Sequence, residues 1–114
     1  MRADKAVEAL GALAQEHRLT LFRLLVQAGD TGMAAGAIAE KLGVPNSSLS
    51  FHLAQLRNSG LILQERQHRS LIYRANYPAM NALVGFLTEN CCGGSDCGTG
   101  AAACETPPQT RKSA

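Results

Sequence analysis

Apolar residues recur every three or four positions in five stretches of the chain, and short turns with glycine or proline separate these stretches. Such spacing is typical of amphipathic helices. The second stretch is apolar on more than one face, which indicates the central helix of a small helical core. Helices are therefore predicted over residues 4–15 (with Asp4 as cap), 16–28, 34–42, the stretch between Pro45 and Gly60, and 77–89.

After Gly60 the pattern changes from helical to extended. Residues 61–63 and 71–73 are runs that favour strands, and the polar segment 64–70 separates them. Two such runs on either side of a polar segment predict a β-hairpin. The chain is expected to be mainly α-helical with one hairpin.

The third and fourth predicted helices are joined by the short turn Gly43-Val44-Pro45. Two helices joined in this way form a helix-turn-helix, whose second helix enters the major groove of DNA. Leucines at positions 49, 53 and 56 of that second helix form one stripe, which we expect to face the core. The opposite face is predicted to carry Ser47, Ser48, Ser50, Phe51, His52 and Gln55, with no acidic side chain in the helix. Such polar groups bind phosphates and base edges, although an ordinary solvated helix face is polar as well.

The predicted hairpin carries Arg66, His68 and Arg69 near its tip. A basic hairpin beside a helix-turn-helix is typical of a wing, whose cations lie along the phosphate backbone or enter the minor groove. Between positions 41 and 80, the only acidic residue is Glu65, so this is the basic part of the chain. The polar face of the second helix and the tip of the hairpin are therefore predicted to contact double-stranded DNA.

Size and composition point away from several other classes of protein. The chain has 114 residues and a net charge of +2, which is one small domain without room for a large enclosed active site. No apolar run is long enough to span a membrane, and no basic and apolar leader precedes the first helix. We therefore expect a cytoplasmic protein with no membrane partner.

The apolar band of the last predicted helix is broader than the core of so small a domain can cover. We expect the surplus, together with the first helix, to form a homodimer interface. A two-fold dimer would set two recognition helices about one turn of DNA apart on a palindromic site.

Beyond Asn90 the composition shifts to small residues and proline without apolar periodicity. Such a segment cannot form a core. Residues 1–90 are therefore predicted to be the DNA-binding and dimerisation domain, and residues 91–114 a flexible tail. All four cysteines lie in this tail: Cys91, Cys92, Cys97 and Cys104.

In a chain without a secretion signal these cysteines are expected to be reduced, which favours metal binding or redox chemistry over a disulfide scaffold. The adjacent pair Cys91 and Cys92, with Cys97 five positions on, suits a three-coordinate thiolate site for trivalent arsenic or antimony. Zinc or cadmium on all four cysteines and oxidation to a disulfide remain alternatives.

Taken together, these motifs resemble the ArsR/SmtB family of winged-helix metalloregulatory repressors. The resemblance runs from about position 6 to position 90 and is carried by residues 18–25, 49–57 and 60–62, by His68-Arg69 and by Tyr73-Arg74. It implies a homodimer that represses its own operon and releases the operator when metal binds. It also implies that DNA is contacted by Ser47, Ser48, Ser50, His52 and Gln55 of the second helix and by Arg66 and Arg69 of the wing. The chain departs from the family in three places. Residues 33–42 lack the cysteine pair of founding arsenic repressors, and the last helix lacks the side chains that bind zinc in zinc sensors. The wing has His68 where glycine is frequent.

The C-terminal cysteines resemble those of the arsenic-responsive branch of the family, whose sensor is a C-terminal cysteine set. The resemblance implies Cys91, Cys92 and Cys97 as ligands of the inducer, As(III) or Sb(III), with no resident cofactor. A switch by thiol oxidation or sulfane sulfur, pairing Cys91 or Cys92 with Cys97, is the main alternative. The chain is predicted not to be an enzyme, because a thiol nucleophile is favoured at a helix N-terminus and these cysteines follow a helix C-terminus.

Overall fold

A computed structural model describes residues 1–94 and shows a mainly helical fold with a small antiparallel sheet. This confirms the predicted fold class. The helices are α1 (Ala3–Leu13), α2 (Glu16–Ala28), α3 (Ala35–Leu42), α4 (Asn46–Asn58) and α5 (Tyr77–Leu87). The strands are β1 (Met33–Ala34), β2 (Ile62–Gln67) and β3 (Ser70–Ala75), and 3₁₀ turns cover Gly29–Thr31 and Cys91–Gly94.

The core forms around α2, as its apolar sequence predicts. Leu21 and Leu25 of this helix are completely buried, and the side chain of Gln15 caps its start by accepting from the Arg18 backbone N–H at 3.0 Å. The predicted leucine stripe of α4 is buried against the same core. The fully buried large side chains are Leu21, Leu25, Ile38, Leu49, Leu56, Leu61 and Ile62.

Helix α1 packs on this core through small side chains. Ala6, Ala9 and Ala12 are buried, whereas Val7 and Leu10 on the same helix are exposed. Alanines at this spacing let the helix lie close to its neighbours α2 and α4. The predicted cap Asp4 is wrong. Helix α1 begins at Ala3, so Asp4 lies within its first turn and Arg2 occupies the cap position.

The sheet has the strand order β1-β3-β2, with both pairings antiparallel. Strand β1 was not predicted, because it has only two residues and exists through its pairing with Tyr73 and Ile72 of β3. Gly32 precedes it with φ +69°, and a Cβ there would lie 2.5 Å from the Tyr73 carbonyl oxygen. The close approach of β1 to β3 therefore depends on glycine at this position.

Each helix within residues 1–94 is too short or too polar to cross a lipid bilayer.

Candidate nucleic-acid interface

Helices α3 and α4 form the predicted helix-turn-helix. Gly43 ends α3 in the left-handed conformation (φ 70°), and its N–H donates to the Ala39 carbonyl at 2.8 Å. Pro45 is extended and precedes the first residue of α4. The turn directs the outer face of α4 away from the core, with Ser47, Ser50 and Gln55 exposed and Ser48 partly buried.

His52 departs from the sequence prediction, which placed it on the exposed face. Its side chain is only 8% exposed and lies on the buried side of α4. The reason is helical spacing, since His52 is three residues after Leu49 and four before Leu56, and such positions share one face. His52 therefore does not lie on the exposed face of α4.

The buried imidazole of His52 lies against the start of α2. Its Nδ1 atom is 3.5 Å from Nη1 of Arg18, and the ring centroid of His17 lies 5.6 Å away. Arg18 is itself fixed, because its Nε donates to the Ala12 carbonyl at 2.6 Å. Burial lowers the pKa of His52, and the positive charges of Arg18 and His17 lower it further. A neutral His52 thus packs the recognition helix against the junction of α1 and α2.

The wing is the hairpin of β2 and β3. Gln67 pairs with Ser70, so that His68 and Arg69 form a two-residue turn. His68 has φ 59°, a conformation that glycine adopts more readily, although histidine tolerates it better than most residues. Arg69 in the turn and Arg66 on β2 are exposed near the outer end of the hairpin, as predicted from the sequence.

One side-chain contact connects the wing to α4, and another joins the two strands of the wing. Arg57 at the end of α4 donates to the Gln64 side-chain oxygen on β2. Glu65 pairs with Arg74 across the hairpin, at 3.2 Å between Oε1 and Nη2. The single carboxylate of this basic region is therefore engaged by a neighbouring cation.

A groove of about 550 Å³ lies between the end of α4 and the wing. Arg57, Gln64 and Arg66 line it together with apolar side chains of the hairpin. Cations beside a neutral polar helix face form a surface that can accept a negatively charged backbone.

Asn76 links this interface to helix α5. Its Nδ2 donates to the Gly60 carbonyl at 2.8 Å, and its backbone N–H donates to the Leu61 carbonyl at 2.8 Å. Its side-chain oxygen accepts from the Ala79 N–H at 3.4 Å and caps α5. The sequence analysis missed this junction, although Asn one residue before Tyr77-Pro78 is a recognisable helix start.

Helix α5 ends at Leu87, two residues before the predicted end, and the cysteine segment begins shortly afterwards. Cys91 opens a 3₁₀ turn, and its N–H donates to the Thr88 carbonyl at 3.0 Å. It is disulfide-bonded, so the expectation of reduced cysteines is wrong for Cys91. Residues 1–94 contain no group of three or more side chains that could hold a metal ion. The predicted ligand Cys97, like Cys104, lies outside the described residues.

Helices α1 and α5 are neighbours and both expose apolar side chains. Val84 and Leu87 of α5 are 54% and 57% exposed, and Val7 of α1 is 68% exposed. Exposed apolar side chains grouped on adjacent elements are typical of a protein interface.

The helix-turn-helix, its basic wing and the open face of α4 define a winged helix-turn-helix DNA-binding protein. Residues 13–65 match the family model described as a helix-turn-helix domain. The nodulation protein NolR of Rhizobium meliloti is 33% identical over 112 residues, which cover 98% of this chain and 84% of NolR.

Two solved structures have the same fold. An ArsR-like transcriptional regulator from Rhodococcus sp. RHA1 is similar with a TM-score of 0.67 at 25% identity, covering 74% of this chain and 76% of that one. The homodimeric winged helix-turn-helix domain of Mb0332 from Mycobacterium bovis, a possible ArsR-family regulator, has a TM-score of 0.61 at 29% identity, covering 76% and 81%. The chain belongs to the ArsR-like family of winged helix-turn-helix transcriptional regulators, which are DNA-binding proteins and not enzymes.

Proposed function

We propose that the protein is a transcriptional repressor that binds palindromic operator DNA as a homodimer and is released by chemistry at its C-terminal cysteines. The observation that carries the DNA-binding part is the acid-free outer face of α4 beside a wing whose Arg66 and Arg69 are exposed. Neutral donors and cations placed side by side bind base edges and phosphates without electrostatic repulsion.

We assign the contacts by side-chain chemistry and exposure. Ser47, Ser48, Ser50 and Gln55 would face the major groove, where hydroxyls and amides bind base edges and phosphate oxygens. Arg66 and Arg69 would bind the flanking phosphates or the minor groove. His52 would act indirectly, by fixing the orientation of α4.

The apolar side chains of α1 and α5 support the homodimer. Val7, Leu10, Val84 and Leu87 are exposed on two neighbouring helices. A second copy of the chain would cover them, and two-fold symmetry would then place two copies of α4 on two half-sites. The homodimeric state of the Mb0332 domain is consistent with this arrangement.

The proposed inducer is trivalent arsenic or antimony, bound by the thiolates of Cys91, Cys92 and Cys97. Three thiols replace the three hydroxyls of arsenite, three As–S bonds form and three water molecules leave. Cys91 and Cys92 are adjacent and follow Leu87 by only a few residues, so ligation would act on the end of the helix that we place in the dimer interface. Asn76 connects the other end of that helix to Gly60 and the start of the wing.

Oxidation of the same thiols is a second candidate, and the disulfide at Cys91 favours it. Forming a disulfide from two thiols releases two protons and two electrons, which a peroxide or a sulfane-sulfur compound would accept. Arsenite, in contrast, requires Cys91 in its reduced form.

The experiment begins with selection of duplexes from a random pool by the full chain, followed by anisotropy titrations of the selected duplex. Arsenite, antimonite, hydrogen peroxide, a polysulfide, zinc and cadmium are added separately to protein that has been reduced with a phosphine and then separated from it. We expect arsenite to weaken binding by about 5- to 150-fold, because allosteric coupling is typically about 1–3 kcal/mol. Cys91→Ser and Cys97→Ser should abolish this response, and Cys104→Ser is the matched control.

The outcomes separate the candidates. Release by peroxide or polysulfide but not by arsenite would replace the arsenic proposal with a redox switch. Release by zinc or cadmium alone would identify a metal sensor. Failure of the full chain to select any duplex from the random pool would contradict the DNA-binding proposal itself.

A further inference from the structure

Phe51 is the one large apolar side chain of α4 that stays outside the core. It is 57% exposed, whereas Leu49, Leu53 and Leu56 of the same helix are buried. At 100° per residue, Phe51 lies about 150° around the helix from the middle of the buried side. Ser47 and Gln55 lie one turn before and one turn after it, so the ring is at the centre of the outer face.

The packing of the domain gives no reason for an aromatic residue here. Phe51 is absent from the core cluster and from the residues that pack against it. Burying a phenylalanine stabilises a fold because its apolar surface leaves water, and this position forgoes that gain. Its ring does contact His52 edge-on, with centroids 5.8 Å apart and planes at 62°. The exposed ring therefore has one aromatic neighbour, the buried His52.

The chemistry of the major groove matches this arrangement. Each A·T pair presents the C5-methyl group of thymine there, and apolar side chains, phenylalanine among them, contact it. A phenyl ring can neither donate nor accept conventional hydrogen bonds to base edges, so it distinguishes bases by apolar contact alone. The serines and Gln55 around it supply the hydrogen bonds.

We propose that Phe51 is a specificity-determining residue that contacts the C5-methyl group of one thymine in each half-site of the operator. This inference rests on the proposed binding of duplex DNA by α4. It adds an apolar contact with thymine to a face whose other side chains form hydrogen bonds with DNA.

The test removes only the methyl group. In the duplex selected by the full chain, each thymine of a half-site is replaced in turn by deoxyuridine, which keeps the base pair and lacks the C5-methyl. We expect one position per half-site at which this replacement weakens binding about fivefold. Phe51→Ala should bind the thymine duplex more weakly and lose the response to deoxyuridine at that position.

Two controls keep the test specific. Leu19→Ala also removes an exposed apolar side chain, but from α2, and should retain the full response to deoxyuridine. A duplex with 5-methylcytosine·G in place of the T·A pair should bind more tightly than a duplex with cytosine·G there, because the methyl group returns to the same place in the groove. Phe51→Leu keeps an apolar contact and should retain part of the effect.

The proposal is overturned if no deoxyuridine replacement weakens binding, if Phe51→Ala keeps the response, or if the selected half-site contains no fixed thymine. If Phe51→Ala binds no duplex at all, the deoxyuridine series with the natural chain shows whether a thymine methyl group contributes to binding. Failure of the chain to select any duplex would instead contradict the proposed function, and this inference with it.

Discussion

Helices α4 and α5 use their apolar residues in opposite ways. Helix α4 buries its whole leucine stripe and exposes a polar face with a single aromatic ring, whereas α5 buries only Leu83 and leaves Val84 and Leu87 exposed. A polar face without carboxylates suits a polyanion, and an exposed apolar face suits another protein surface. The contrast supports the two proposed partners, which are DNA on α4 and a second copy of the chain on α5.

The largest expected effect distinguishes the two faces of α4. Leu56→Ala should lower the free energy of unfolding by about 2–5 kcal/mol, because Leu56 is fully buried. Phe51→Ala should change it by less than about 0.5 kcal/mol, because exposed side chains contribute little to stability. Urea denaturation of the two variants measures both values. Equal losses would show that Phe51 belongs to the core.

The next prediction concerns the exposed face of α5. Leu87→Asp should dissociate the dimer, because it places a charge in the proposed apolar interface. Operator affinity should then fall on the order of 100-fold, since the two half-sites are no longer bound together. Sedimentation and anisotropy measure the two effects. Ala82→Asp is the matched control, because it adds the same charge to the other side of α5; a monomer with undiminished affinity would contradict the assignment.

A smaller effect is expected from the wing. Arg69→Ala should weaken binding to all duplexes alike and lower the slope of log affinity against log salt by about 1 for each subunit, because one phosphate contact is lost. Titrations at several salt concentrations measure this slope. Arg2→Ala removes another exposed cation, which lies at the N-terminus and pairs with Asp4, and should leave the slope unchanged. A change in sequence preference with Arg69→Ala would instead indicate a base contact.

The smallest effect involves the contact of α4 with α2. The pKa of His52 is lowered in the folded chain, so the unfolded state binds a proton first as the pH falls. The stability from neutral His52 is therefore complete above the unfolded pKa of about 6.5 and decreases below it, by at most about 1.4 kcal/mol per pH unit. Thermal melts between pH 7.5 and 5.5 should show this decrease, and His52→Gln should reduce it. An unchanged pH dependence in the variant would contradict the assignment.

The sequence predicts the helices and the hairpin because their apolar spacing is local and regular. Strand β1 escapes prediction, since its two residues are ordered only by pairing with a strand almost 40 positions later. The sequence also does not indicate which face of α1 packs on the core, because the choice of the alanines over Val7 and Leu10 depends on how closely α1 approaches its neighbours.

The interface is predictable to a similar degree. The outer residues of α4 and the arginines of the wing follow from helical and hairpin geometry, and the structure exposes Ser47, Ser50, Gln55, Arg66 and Arg69. His52 was misplaced because polarity was given more weight than its spacing from Leu49 and Leu56. The Asn76 junction depends on contacts between segments distant in the sequence.

The measurement that tests the central claim most directly is a pair of anisotropy titrations at about 150 mM salt. One uses the duplex selected by the full chain, and the other uses a scrambled duplex of the same length and base composition. A winged helix that reads sequence through α4 should prefer the selected duplex by a factor of about 10³ or more. Equal affinity for the two duplexes, or no binding to either, would contradict the account.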